Sequence, residues 1–163
     1  MVTGKRYREA VAEMSLTWTL HNYGWVICRV ADPRAEAEAV ASYVTDAPEQ
    51  LLTAVATIVL GAATARVEFQ AEPTVYRWTF QRRGPDVEIR LLRVLTDRLP
   101  DEAGTLIWAS SQPVDALARV VVRAFDAVAA QHGAVGYEKA WGRPFPEREL
   151  TALRAAWRQN RPG

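Results

Sequence analysis

Hydrophobic and polar residues alternate most cleanly over residues 65–94. Val67, Phe69 and Ala71 interleave with Arg66, Glu68 and Gln70, and Tyr76, Trp78 and Phe80 with Arg77, Thr79 and Gln81. A period of two with one polar face predicts two half-buried antiparallel strands. The intervening residues 72–75 (EPTV) suit a four-residue loop on a type I turn with Pro73 at its second position. Closing that loop at Ala71 and Tyr76 sets Phe69 opposite Trp78 and Val67 opposite Phe80, because a turn fixes every pair behind it. Residues 83–86 (RGPD) then turn the chain into a third strand, 87–94, with Leu91 opposite Trp78.

Upstream, Leu16, Trp18 and Leu20 alternate with Ser15, Thr17 and Thr19, which predicts a strand. Residues 21–24 (HNYG) are turn chemistry, and 25–30 resume a β-rich run, giving a hairpin. After Asp32-Pro33, residues 36–44 read as a third strand, although their alanines make helix nearly as compatible on propensity. Asp46 and Glu49 have capping-box spacing and Pro48 lies in the first turn, so a helix begins at Asp46. Its stripe is Leu51, Leu52, Val55, Ile58 and Val59, and Gly61 is placed to end it in the left-handed conformation.

Residues 105–110 form a last strand. Pro113 and Asp115 open a long helix with Leu117, Val121, Phe125 and Val128 on its buried stripe, closed by Gly133. Residues 136–142 (GYEKAWG) read as an irregular, glycine-flanked stretch, and Pro146 begins a final helix with Leu150, Leu153 and Trp157 on one face. Residues 1–13 read as a short helix or frayed end. The resulting class is α+β: a mostly antiparallel sheet of six or seven strands with helices packed on one face, in the order β-β-(β)-α-β-β-β-β-α-α.

At 163 residues the chain fits one domain with a full core, and no linker or repeat divides it. Its apolar fraction of 49% and charged fraction of 24% exclude a disordered or collagen-like chain. Twenty basic against nineteen acidic side chains, interspersed, give no field for nucleic acid. The lone Cys28 can complete neither an internal disulfide nor a zinc site, which points to a reducing compartment. No signal peptide or membrane span is evident, so a cytoplasmic protein is expected. The preference for Arg over Lys and the abundant Ala point to a GC-rich bacterial genome.

No HExxH, Walker loop, GxSxG or paired CxxC occurs, and no metal or cofactor is expected. His21, in a hairpin turn, and His132, just before a helix-ending glycine, read as structural. Cys28 lacks the electropositive setting that activates a thiol. Glu68 and Glu88 belong to a solvated mosaic of charges, and Asp101 and Glu102 to a loop. At least four of the six tryptophans are expected in the core. Trp25, near a turn, and Trp141, in the irregular stretch, are the exceptions; with Tyr137 they are placed to line a groove or interface. The outer sheet face carrying Arg66, Arg77 and Arg90 is the second candidate surface.

In residues 42–46 (SYVTD) and the leucine-rich helix after them, 72–78 (EPTVYRW) and 136–146 (GYEKAWGRPFP), the chain resembles small uncharacterised bacterial proteins of GC-rich genomes. Some of these look like immunity proteins encoded beside secreted toxins. The resemblance spans roughly residues 15–155, implies an interaction protein and brings no catalytic residues. The expectation is a non-catalytic module, immunity-like or regulatory, that binds another protein or a second copy of itself. The alternative is a small-ligand binder or enzyme using an aromatic pocket near Trp141. A deep pocket holding Trp25, Tyr137, Trp141 and His132 would favour that alternative.

Overall fold

The computed structural model describes residues 14–21 and 23–161, so the N-terminal helix or frayed end expected over 1–13 lies outside the described residues. Strands β1 (Ser15–His21), β2 (Trp25–Ala31) and β3 (Glu36–Ser42) form an antiparallel sheet in that order. The alanine-rich third segment is therefore strand. Ala39 and Ala41 are buried beside Cys28 and Val26, where larger side chains would not fit between packed layers.

Helix α1 (Ala47–Val59) follows, as its stripe predicts, and Leu51, Leu52, Val55, Ile58 and Val59 are all buried. Its end is a Schellman motif: Gly61 at φ +111° donates its N–H to Ile58 O, and Ala62 N–H donates to Thr57 O. Its start departs from the expected capping box. Asp46 makes no side-chain cap; its carboxylate instead accepts from Gln50 Nε2 at 2.8 Å.

Strands β4 (Thr64–Gln70), β5 (Val75–Arg83), β6 (Asp86–Val94) and β7 (Thr105–Pro113) form a second antiparallel sheet in sequence order. The fold is α+β, but the seven strands of the described residues divide three and four between two sheets rather than joining in one. Helix α1 explains the division: Gln50 Oε1 reaches the outward N–H of Glu68 on β4, so the helix lies along the strand edge that β3 would have to pair. Trp78 opposes Leu91 as expected. The β4–β5 register differs by two residues, pairing Phe69 with Tyr76 and Val67 with Trp78. The turn closes two residues early, with Ala71 N–H donating to Thr74 O at 2.7 Å, and frees Val75 to enter β5 fully buried. A two-residue change keeps every side chain on its own face, so the aromatics stay inside.

Helix α2 (Val114–Trp141) carries the expected buried stripe, with Phe125 fully buried. Gly133, at φ +68°, interrupts it where the helix was expected to end. The chain then re-enters a helix through Trp141, so the stretch read as irregular is helical. Helix α3 (Glu147–Asn160) follows Pro146 and buries Leu150 and Leu153.

The two sheets and three helices share one core. Trp18 of β1 meets Phe69 of β4 edge-on, with ring centroids 5.6 Å apart, and Phe125 of α2 at 5.0 Å. A second seam is polar: Trp108 Nε1 on β7 donates to Ala35 O at 3.1 Å, and Ser110 Oγ donates to Asp32 Oδ2 at 2.6 Å. Among the described residues, no helix is long and apolar enough to cross a membrane.

Candidate interaction surfaces

Three chain segments meet where the β1–β2 turn touches residues 43–44 and the end of α2. Gly24, at φ +78°, donates its N–H to Ala140 O at 3.0 Å and accepts from Tyr43 N–H at 2.9 Å. A Cβ on Gly24 would lie 2.5 Å from Tyr43 Cδ1 and 3.2 Å from Trp141 O, so only glycine allows this approach. The Tyr43 ring extends over Gly142, the left-handed residue that ends α2. Arg143 NH2 reaches Val44 O at 3.5 Å, at the limit of a hydrogen bond.

Sequence reasoning brought Trp25, Tyr137 and Trp141 to this corner, and the chain does gather there. Trp25 is half-buried on the outer face of the first sheet. Tyr137 and Trp141, however, are fully buried and face no groove. Helical backbone turns both rings into the core, and Tyr137 packs edge-on against Phe145 with centroids 5.1 Å apart. Burial, with the nearby Glu49 charge, pushes the Tyr137 hydroxyl upward, away from a proton-transfer role near neutrality. Among the described residues the exposed aromatics are Tyr23 at 90% and Tyr43 at 49%, with Val44 beside them at 46%. Tyr23 sits at φ +74°, a conformation that bulky residues rarely adopt. The one sequence signal for it was its place before Gly24 at a hairpin tip.

The second candidate surface is the outer face of the four-stranded sheet. Arg66 and Arg90 are exposed there as expected, and among the described residues Arg90 has no ion-pair or hydrogen-bond partner. Arg77 is not exposed. Its side chain is 1% accessible, and its guanidinium donates to Leu99 O and Asp101 Oδ1, both at 2.9 Å, and to Asp97 O at 3.3 Å. The β6–β7 connection folds over this end of the face and shuts Arg77 in with Val75, Leu92 and Val94. Arg66 grips the same Asp101 with both nitrogens, at 2.9 and 3.2 Å. Burial pushes the Asp101 carboxyl up, but the two guanidiniums outweigh it and hold it below the usual carboxylate range. The uncovered remainder holds two open depressions of about 570 and 420 Å³ that share Gln81, Glu88 and Arg90.

The remaining candidates have structural surroundings. Cys28 is fully buried, and desolvation pushes its thiol well up, so no thiolate forms near neutrality. Trp18, Trp78, Trp108 and Trp141 are the buried tryptophans, while Trp157 is half-exposed with its Nε1 donating to Asp115 at 2.8 Å. Among the described residues no three His, Cys, Asp or Glu side chains gather to hold a metal ion. The chain matches no family model, no curated protein and no solved structure.

Proposed function

We propose that this chain is a non-catalytic protein-binding module, immunity-like or regulatory, that engages its partner through the corner formed by Tyr23, Trp25, Tyr43 and Val44. The single observation that carries this reading is Tyr23, displayed almost fully to solvent at a backbone angle disfavoured for its type. Local strain of this kind persists where the surrounding structure enforces it and concentrates at functional sites. Tyr and Trp on a rigid frame are the side chains that dominate binding energy at protein interfaces. The frame here is rigid because Gly24 is tied to both α2 and Tyr43.

Arg66 and Arg90, on the outer face of the four-stranded sheet, are a separate polar surface, with Arg90 beside Asp32 and Arg34 rather than at the Tyr23 corner. A pocket near Trp141 has less support, because Trp141 and Tyr137 are sealed from solvent.

Pull-downs from lysate with wild-type, Tyr23→Ala and Tyr43→Ala baits test the reading. The variants should keep the wild-type circular dichroism spectrum and lose the partner, by on the order of 2 kcal/mol each as interface anchors do. A partner retained equally by all three baits would move the interface elsewhere.

A further inference from the structure

The larger of the two depressions on the outer face of the four-stranded sheet, about 570 Å³, runs from Arg90 on β6 across Ala109 and Ser111 on β7 to the β2–β3 turn. Its floor is low because Ala109 and Ser111 are short, whereas their register partners Arg90 and Glu88 stand up beside them. Five charged side chains line it. Glu88 accepts from Arg83 Nε at 2.9 Å. The Asp32 carboxylate is saturated locally, accepting from Ser110 Oγ at 2.6 Å and from the backbone N–H groups of Arg34 and Ala35 at 2.9 and 3.0 Å. Arg34 and Arg90 are left over. Both are exposed, and among the described residues neither guanidinium has a hydrogen-bond or ion-pair partner. Three guanidiniums against two carboxylates give the lining one positive charge in excess.

Both arginines stand on fixed backbone. Arg90 belongs to a strand paired on both sides, opposite Thr79 and Ala109. Arg34 is carried by a turn that Asp32 ties to Ser110, and Gln112 Nε2 donates in turn to the Ser110 hydroxyl at 2.8 Å. The Trp108 indole holds the end of the same turn through Ala35 O. A second set of donors borders the space. Val114 N–H donates to Pro85 O, so Gln112, Ser110 and Trp108 likewise bond β6, and Ala109 and Ser111 direct their N–H groups away from it. Neither of those two N–H groups is bonded among the described residues.

We propose that this depression takes an acidic segment of a protein partner, with one Asp or Glu side chain entering between Arg34 and Arg90. A guanidinium fork meets a carboxylate with two parallel N–H···O bonds, which gives direction as well as attraction. One carboxylate neutralises the excess charge of the lining. A phosphate dianion would overshoot it beside Asp32 and Glu88, and the walls are strand and turn, with no helix N-terminus to receive a phosphate. The β2–β3 turn lies at the opposite end of the seven-residue β2 from Tyr23. The site is therefore separate from the aromatic corner, and its failure leaves that reading standing.

Selection of a random heptapeptide library on the full chain, in parallel with a double variant carrying Arg34→Gln and Arg90→Gln, tests this. The wild type should enrich peptides carrying Asp or Glu, and the double variant should not. Synthetic copies of the enriched peptides should bind the double variant at least tenfold more weakly and with a shallower salt dependence. Arg158→Gln, which removes an exposed charge from α3, and Tyr23→Ala should leave their affinity unchanged. Replacing the acidic residue of the peptide by its amide should weaken binding to the wild type and change binding to the double variant little, because the partners of that carboxylate are already gone. Selection of no peptide, of peptides without an acidic residue, or of peptides that Arg158→Gln weakens as much as the double substitution would each overturn the proposal. Displacement of the selected peptides by inorganic phosphate, at an ionic strength where chloride has no effect, would overturn it in favour of a phosphate site.

Discussion

Arg77 and Arg90 occupy equivalent outward positions of adjacent strands, yet one is sealed and the other free. The alternation of residues 76–81 gives the face of each side chain and nothing about what later folds over it. The cover comes from residues 95–104, more than fifteen positions downstream, and no local pattern announces it. Removing the Arg77 fork would leave the carbonyls of Leu99 and Asp97 without their donor, so Arg77→Met should cost about 2–4 kcal/mol in urea unfolding. Arg77→Lys should recover less than half of that, because an ammonium cannot reproduce the planar fork. Arg90→Met should stay within about 0.5 kcal/mol. Equal losses for Arg77→Met and Arg90→Met would mean that the loop does not close over Arg77.

The carboxylates divide by sign. Asp101 is held below the usual range, so its contribution is present above the unfolded-state pKa and is lost as pH falls through the folded value. Glu49 is shifted upward, first by burial and then by the Glu149 and Asp46 charges, so the folded state keeps a proton that the unfolded chain releases. Stability then declines as pH rises from the ordinary Glu range through the folded value. Thermal melts should show Glu49→Gln more stable than wild type at neutral pH and level with it in acid. Asp101→Asn should lose Tm at neutral pH and draw level with wild type only as pH falls below the ordinary Asp range. Melting curves displaced equally at both pH values would contradict these assignments.

At the scale of elements, signals written within a dozen residues were legible. The Leu51–Val59 stripe, the stop at Gly61 and the alternation in β1, β4 and β5 all correspond to structure. Two misreadings share a cause, which is that glycine and proline mark a change of direction without fixing its extent. Pro73 marked the β4–β5 turn, but the backbone closes it between Ala71 and Thr74. Gly133 breaks α2, but Tyr137, at a helical spacing from Trp141, resumes it because burying both rings outweighs the weak helix propensity of the glycine-flanked segment. The exposed pair Tyr23 and Tyr43 was missed because each is isolated in sequence, and only the Gly24 contacts bring them together. Since Trp141 is core, Trp141→Ala should cost about 3–5 kcal/mol, as should Phe125→Ala. A loss below about 1 kcal/mol for either in urea would place that ring at the surface.

For the whole molecule, the division into two sheets raises the question of whether they unfold together. Sequence could not answer it, because the joining contacts link residues about fifty to a hundred positions apart. Trp18 is the main joint, set between Phe69 of the second sheet and Phe125 of α2 and only 4% exposed. The Asp32–Ser110 and Trp108–Ala35 bonds form a thinner second seam. If Trp18 couples the sheets, Trp18→Ala should cost about 3–5 kcal/mol, and the slowest amides of β2 and of β5 should lose protection by the same amount. A double-mutant cycle with Phe69→Ala should then show a coupling of about 1 kcal/mol, because the second substitution removes a contact the first has already broken. Ser110→Ala should lower both sets of amides by less, in proportion to one polar contact. Amides in β2 that lose protection while those in β5 keep it would mean that the three-stranded sheet opens alone, and that the four-stranded sheet with α1 is the stable unit.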